Sequence, residues 1–475
     1  MAQYEGRYKK LAKNTTIFAV ANFGSTLLRF LIVPFYTYYL TTSEYGIVDT
    51  LSTTVSLCMP IVILGMQEAV LRFTLDKLYS HASVIKIALL ILCVDSIIAL
   101  ALYIPLSKFQ LFNGLWWLFY CYLICYAVNN ILLNYTRGTG NSIIFMCGGI
   151  LNTVVMLVCN IVMIAVLKLG VKGYLYSLIL GYAISSLFLF FKTKLAFALN
   201  EGIVERTLFK EMLKYSLPLM PTAAMWWVMN AVDRYAINYF LGVSATGIFA
   251  IAHKVPTVIS VCYSVFQQAW QISAVDAISA YDREKFYGKV YDIFFRGLFL
   301  LSSFVILIIE PLLAVTVSSA YVIAWKYTPF LLLGSVFASM AGFLGVNYVV
   351  TKKSVGALST SAIGAFANII FNITLIPYLG LQGSALATLL GFYVVWLVRA
   401  SIFNGGIKIE QNYLLIHILL GLEILQSLII IFELPYRHVA QILFFLIIIF
   451  IDRKILIDIY QKIKVILQNK TRRKI

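Results

Sequence analysis

The chain has 475 residues, of which 61% are hydrophobic and 12% are charged, and its formal net charge is +17. Soluble domains carry about 25% charged residues, so the composition excludes an ordinary soluble protein and indicates that lipid surrounds much of the chain. Backbone polar groups in lipid need internal partners, which leaves helices or closed barrels as spanning structures. The apolar stretches are about 18 to 28 residues long, which is typical of helices and not of short alternating barrel strands.

Hydropathy predicts an all-α integral membrane protein with about fourteen transmembrane helices. In chain order the predicted spans are 15–40, 45–71, 84–105, 112–135, 142–167, 171–191, 216–241, 246–272, 288–310, 327–350, 356–378, 381–401, 412–432 and 438–452. The first apolar run is too long for a cleavable signal peptide, and no small-residue cleavage site follows it. The seven cysteines fall in apolar runs without histidines at zinc-ligand spacing, so neither a metal nor a cofactor is expected.

The positive charges predict the orientation of these spans. With the N-terminus in the cytoplasm, the inner segments contain 28 Lys and Arg residues and the outer loops contain five. We therefore attribute the net positive charge of the chain to cytoplasmic loops, as the positive-inside rule predicts, and expect no nucleic-acid partner. An even number of spans places both termini in the cytoplasm. The isoleucines of 453–475 follow a helical stripe among basic residues, which predicts an amphipathic helix on the anionic inner leaflet, with a solvated tail as the alternative.

Two pairs of similar segments indicate an internal repeat. Leu169-Gly170-Val171 and Leu379-Gly380-Leu381 each precede a span, and Tyr45-Gly46-Ile47 and Thr246-Gly247-Ile248 open the second and eighth spans. We predict two six-helix pseudo-symmetric lobes, two additional transmembrane helices and a basic amphipathic cytoplasmic tail, at 1–206, 207–405, 406–452 and 453–475. Parallel repeats of this kind place a substrate site between lobes that opens by alternating access. Coincidence in Gly- and Leu-rich sequence is the alternative.

Charged residues inside the spans are the candidate site. Each costs about 2.5 to 3.5 kcal/mol at a helix centre, so we expect them to face the bundle interior or a water-filled cavity. Four cations are predicted to line a central cavity for an anion: Arg29, Arg234, Lys254 and Arg296. We expect Asp233 to pair with Arg29 or Lys254, and we regard Asp95 as a possible proton or sodium coupling site.

Two further groups of polar residues have competing interpretations. Glu68 and Arg72 lie one helical turn apart, and a packing salt bridge is the favoured role. Phe266-Gln267-Gln268-Ala269-Trp270-Gln271 concentrates amides and an aromatic ring in the eighth span. That pattern suits sugar binding and suits helix–helix hydrogen bonding equally well.

An ordered set of motifs resembles the polysaccharide biosynthesis flippases of the multidrug/oligosaccharidyl-lipid/polysaccharide exporter superfamily. The similarity covers about 400 residues of both predicted lobes, and each motif alone is weakly specific. The motifs are Leu11-Ala12-Lys13-Asn14-Thr15, Asn22-Phe23-Gly24, Pro34-Phe35-Tyr36, Tyr39-Leu40-Thr41, Glu44-Tyr45-Gly46, Ala69-Val70-Leu71-Arg72-Phe73, Met229-Asn230, Asp233-Arg234-Tyr235 and Gln268-Ala269-Trp270.

The resemblance implies a non-enzymatic flippase in the bacterial plasma membrane. Such proteins move undecaprenyl-pyrophosphate-linked oligosaccharide from the inner to the outer leaflet for O-antigen, capsule or exopolysaccharide synthesis. The resemblance also implies membrane lipids, a polysaccharide polymerase and chain-length machinery as partners. On this basis we assign Arg29, Arg234, Lys254 and Arg296 to the pyrophosphate. Sugar contacts would involve Gln267, Gln268 and Trp270, and structural or gating roles would fall to Glu68, Arg72 and Asp233.

Three other functions are considered beside this one. A lipid II flippase for peptidoglycan also has two extra helices, so the number of spans does not exclude it. A multidrug cation antiporter needs an acidic site, for which this chain offers only Asp95 and Asp233. A membrane-embedded polymerase or ligase needs a catalytic constellation, and the longest predicted outer loop, near 311–326, has neither a histidine nor a carboxylate pair. The sequence also lacks a phosphate-binding GxxxxGK[ST] loop.

Overall fold

A computed structural model describes residues 32–76, 78–106, 114–276, 283–351, 353–401, 407 and 409–453, and all regular structure in these ranges is helical. The α-helices are α1 (Val33–Tyr39), α2 (Thr42–Val62), α3 (Met66–Leu75), α4 (His81–Leu106), α5 (Trp116–Gly138), α6 (Ser142–Asn160), α7 (Gly170–Lys192), α8 (Leu195–Glu201), α9 (Arg206–Ser216), α10 (Met220–Leu241), α11 (Val243–Lys254), α12 (Thr257–Asp276), α13 (Arg283–Thr316), α14 (Thr328–Val350), α15 (Ser354–Leu379), α16 (Leu381–Ser401), α17 (Tyr413–Ile431) and α18 (437–453).

The described helices confirm an all-α, multi-pass membrane protein. Ten of them are long and apolar enough to cross a membrane, and α11 with the first part of α12, which meet at a bend of 44°, make an eleventh if the bent pair is one span. Residues 15–31 of the predicted span at 15–40 lie outside the described residues. The basic tail after residue 453 also lies outside them.

Helix boundaries follow local chemistry. α2 begins with a capping box, in which the Thr41 hydroxyl accepts from the Glu44 backbone N–H and the Glu44 carboxylate accepts from the Thr41 N–H. α2 ends before Gly65, whose φ of +66° is readily adopted by glycine and lets the chain turn into α3. The α-helical hydrogen bonding of α6 changes to a π-helix over Ile161–Val166.

Residue contacts divide the chain into two compact units, Met1–Ala250 and Ile251–Ile475. The core of the first unit contains the apolar faces of α4, α5 and α7, with Leu118, Ile131 and Leu175 fully buried. The second unit has α14 buried against α16, and Trp396 is fully buried there. The predicted lobes at 1–206 and 207–405 remain a prediction.

Candidate functional site

The first unit contains a seam between α2 and the α10–α11 pair, which we call the polar seam. At one end the Thr42 hydroxyl oxygen lies 2.6 Å from that of Ser244. Gly46 and Gly247 bring the two backbones together: a Cβ on Gly46 would overlap the Val243 carbonyl oxygen, and one on Gly247 would overlap that of Thr42. The two glycines that mark the sequence repeat therefore meet in a close backbone contact, as small residues do at membrane helix interfaces.

A buried ion-pair cluster follows along the polar seam. Arg234 Nε lies 3.2 Å from Asp49 Oδ2, and Arg234 Nη1 lies 2.8 Å from Asp233 Oδ1. Arg234 Nη1 also donates to the Asn230 carbonyl oxygen at 2.5 Å. Arg234 is 8% exposed and Asp233 is 1% exposed. In this conformation two carboxylates therefore contact one guanidinium, and Arg234 is a partner of Asp233.

Beyond the charges, the polar seam gives way to an apolar cleft between α2 and α10. Tyr235 Oη lies 2.6 Å from Thr54 Oγ1, and Trp227 Nε1 donates to the Thr53 carbonyl oxygen at 3.1 Å. The cleft behind Trp227 has a volume of about 230 Å³, and its walls are Leu57, Pro60, Ile61, Met220, Pro221, Ala223, Ala224 and Trp227. A buried ion pair thus lies near a wall that suits hydrocarbon.

The structure describes two of the other three predicted cations, Lys254 and Arg296. Arg29 lies outside the described residues. Lys254 is half-buried at the end of α11, where the chain bends before α12. In the second unit, Arg296 pairs with Asp292 at 3.0 Å and with the buried Asp452 of α18 at 2.9 Å. These ion pairs hold α18 against α13, which favours a structural role for Arg296.

The predicted sugar-binding segment is divided between two environments. Gln267 is half-buried on α12, and the Gln268 side chain lies outside what the structure describes. Trp270 is 2% exposed, stacks on Phe343 with ring centroids 4.4 Å apart, and meets the Tyr287 ring at 4.8 Å. Protein rings contact Trp270 in a buried aromatic cluster, so its position favours core packing over contact with a sugar.

Three other predicted residues, Glu68, Arg72 and Asp95, lie on α3 and α4, outside the helices that form the polar seam. Glu68 is exposed, and the ion pair of Arg72 is with Asp76 at 4.0 Å rather than with Glu68. Such an exposed pair contributes about 0–1 kcal/mol. Asp95 is half-buried on α4, and its Oδ2 is buried without a hydrogen-bond partner among the described residues.

Several charged residues inside the helices were not predicted as site residues, among them Asp49, Arg399 and Glu423. Asp49 is the partner of Arg234. Arg399 is 2% exposed and donates to Thr360, Ser361 and the Ala341 carbonyl oxygen, which links α14, α15 and α16. Glu423 is completely buried in α17. All three are charged residues in apolar helices. The cost of placing a charge there is the sequence signal that predicts a specific role for each of them.

Ten long apolar helices and, in the first unit, a polar seam with an ion-pair cluster define an all-helical, multi-pass membrane protein. The solved structure of the lipid II flippase MurJ in its inward closed conformation superposes with a TM-score of 0.68, at 14% identity, over 93% of this chain and 98% of that one. An inward-facing multidrug resistance MATE transporter of the MOP superfamily gives 0.61 at 14% identity, over 83% of this chain and 99% of that one. At such identities the likeness establishes the fold.

The sequence comparison defines the family. The family model described as "Polysaccharide biosynthesis protein" matches residues 11–271, more than half of the chain, so the protein belongs to the polysaccharide biosynthesis protein family. The resemblance drawn from the motifs is thereby confirmed. An uncharacterized membrane protein of Methanocaldococcus jannaschii is 25% identical over 220 residues, which cover 44% of this chain and 42% of that relative.

Proposed function

We propose that this protein is a flippase for undecaprenyl-pyrophosphate-linked oligosaccharide. It would carry repeat units from the cytoplasmic to the outer leaflet of the bacterial plasma membrane by alternating access, for surface polysaccharide synthesis. The observation that carries the proposal is the buried Asp49–Arg234 ion pair near an apolar cleft, in a chain of the polysaccharide biosynthesis family. Both termini would lie in the cytoplasm, and a polymerase with its chain-length machinery would use the product.

The substrate chemistry explains why a buried arginine is useful. Pyrophosphate and sugar hydroxyls are strongly hydrated, and transfer of an isolated ion into hydrocarbon costs tens of kcal/mol in the Born limit. A guanidinium binds phosphate oxygens through paired, charge-assisted hydrogen bonds. The cleft lined by Leu57, Pro60 and Trp227 offers apolar surface to a polyprenyl chain. The Arg234 guanidinium therefore matches the pyrophosphate in charge, and the apolar cleft matches the polyprenyl chain in polarity.

We infer that transport exchanges one anion for another at Arg234. In the described conformation Asp49 and Asp233 hold the guanidinium. Separation of α2 from α10 would remove Asp49 and free hydrogen-bonding edges of Arg234 for pyrophosphate, while Asp233 keeps the side chain in place. Arg29 and Lys254 are proposed as additional pyrophosphate contacts, and Gln267 and Gln268 as sugar contacts.

The alternatives predict different substrates for the same polar seam. Lipid II shares the polyprenyl pyrophosphate, so a peptidoglycan flippase would use Arg234 in the same way. A multidrug cation exporter would need an available carboxylate, and the ion pairs of Asp49 and Asp233 with Arg234 disfavour it. Neither a polymerase nor a ligase is proposed, because the polar seam offers an ion pair and hydroxyls without a nucleophile beside a base.

A complementation experiment tests the proposed function. In the host strain without its own copy, lipid-linked oligosaccharide should accumulate and surface polysaccharide should disappear. The wild-type chain should restore the polymer. Arg234→Gln should restore less than about a tenth of it, a loss worth about 1.4 kcal/mol or more. Arg206→Gln, a change of an exposed arginine, is the matched control. Normal polymer in the strain without the protein would overturn the proposal.

A further inference from the structure

Glu423 is a carboxyl group enclosed by three helices of the second unit. It lies near the middle of α17 and is completely buried. Its Oε2 accepts a hydrogen bond from the Ser302 hydroxyl of α13 at 2.7 Å. Its Oε1 is buried and has no hydrogen-bond partner among the described residues. One carboxyl oxygen is therefore satisfied and the other is not.

Glu423 belongs to a polar layer between the helices. The members of this layer are Ser302, Ser303, Glu423, Gln426 and Gln441. Ser303 donates to Gln426 Oε1 at 2.8 Å, and Gln426 Nε2 donates back to the Ser303 carbonyl oxygen at 3.2 Å. Gln441 of α18 donates to the Gln426 carbonyl oxygen at 2.8 Å. Gln441 Oε1 is buried without a hydrogen-bond partner among the described residues, and Glu423 is the one ionisable member of the layer.

The charged groups on the helices packed around Glu423 lie at a distance from it along the helix axes, and they have ion-pair partners of their own. Arg296 and Glu310 lie six and eight residues from Ser302, about 9 and 12 Å along α13. Arg296 pairs with Asp292 and Asp452, and Glu310 pairs with Arg437. The remaining titratable groups nearest to the layer on α14, α17 and α18 are Tyr348, His417 and His438.

We propose that Glu423 is a proton-binding site, occupied in this conformation and emptied when α17 and α18 shift. Protonation transfers a proton from hydronium to the unpartnered Oε1, which leaves a water molecule in solution and a neutral carboxyl beside Ser302. Movement of α17 or α18 would bring Oε1 to water and release the proton as hydronium. The proposal gives the α17–α18 pair an ion-coupling role and does not depend on which substrate the flippase carries.

A proton fits this site better than a metal ion. Sodium and other hard cations need several oxygen ligands around one point. Here the Ser302 hydroxyl donates to the carboxyl and both Gln426 carbonyl groups accept hydrogen bonds. Among the described residues of the layer, Glu423 Oε1 and Gln441 Oε1 are the two buried side-chain oxygens without a partner, which is fewer than a hard cation needs. Among the described residues, no group of three or more His, Cys, Asp or Glu side chains lies together as a metal site.

Infrared difference spectroscopy of the purified protein in lipid vesicles tests the proposal without any substrate. At neutral pH the wild type should show the C=O stretch of a protonated carboxyl. Glu423→Gln should lack that band, and Glu68→Gln, at an exposed carboxylate, should retain it. A wild type that lacks the band, or a band that disappears with sodium in place of potassium, would overturn the proposal. The experiment does not measure lipid flipping. Its result can therefore be interpreted even if the proposed flippase function is wrong.

Thermal unfolding provides the second measurement. A carboxyl that binds its proton more tightly in the folded state loses that stabilisation as pH rises, because the unfolded state then binds fewer protons than the folded state. The wild-type melting temperature should therefore fall between neutral and alkaline pH, and Glu423→Gln should reduce this fall by at least half. Equal pH profiles for the two proteins would contradict the proposal.

Discussion

A double-mutant cycle on Asp49 and Arg234 measures the ion pair at the centre of the polar seam. The charges lie 3.2 Å apart, and two unit charges at that distance attract by about 5 kcal/mol at an effective dielectric constant near 20. Asp233 remains 2.8 Å from the guanidinium when Asp49 is replaced, so part of the attraction persists. We expect a coupling free energy of about 1–3 kcal/mol between Asp49→Asn and Arg234→Gln.

The individual substitutions should differ in severity. Arg234→Gln removes the guanidinium from the half-buried Asp49 and the buried Asp233, which should lower the unfolding free energy by about 3–5 kcal/mol. Asp49→Asn leaves Arg234 with Asp233 and should cost less. The assay is unfolding of the purified variants in detergent, with Glu68→Gln at an exposed site as the control. If the effects of the two substitutions add within about 0.5 kcal/mol, the proposed ion pair does not form.

Three further predictions concern stability and are read by thermal unfolding. Gly46→Ala forces apart backbones that leave no space for a Cβ and should cost about 1–3 kcal/mol, whereas Gly149→Ala, in open space, should cost under about 1 kcal/mol. Arg399→Lys should cost about 2–4 kcal/mol, because an ammonium cannot link the three helices as the guanidinium does, and an unchanged melting temperature would contradict that link. Hydrogen bonds from Lys326, and then from Arg437, hold the pKa of the Glu433 carboxyl below its usual range. The stabilisation of the folded state by this ionised carboxylate is therefore present above the unfolded-state pKa and is lost as pH falls through the folded-state pKa. Glu433→Gln should remove this acid sensitivity, and an unchanged acid profile would refute its cause.

The helices could be predicted because length and hydropathy alone determine whether a segment can span. Helix 437–453, for example, matches the predicted span at 438–452. Local hydrogen bonding could be read as well, since Thr41 and Glu44 stand at capping-box spacing. The bend at Pro256 also falls inside the span predicted at 246–272. These features depend on neighbours in the chain or on transfer to lipid.

Ion-pair partners could not be predicted in the same way. Asp233 was expected to pair with Arg29 or Lys254, which stays a prediction, and the structure adds its chain neighbour Arg234 as a partner that was not expected. Asp49 lies 185 residues from Arg234, and only helix packing brings them together. The aromatic and amide residues around Trp270 were equally compatible with sugar binding and packing, and the position of Phe343 favours packing. Side-chain partners depend on tertiary contacts that hydropathy does not contain.

Translocation by the purified protein tests the central claim most directly. Vesicles would carry undecaprenyl-pyrophosphate-linked oligosaccharide on one leaflet, and an impermeant glycosidase would measure its arrival on the other. We predict ATP-independent translocation by the wild type and at least a tenfold lower rate for Arg234→Gln. A wild-type rate equal to that of protein-free vesicles, with folded protein present, would contradict the flippase assignment.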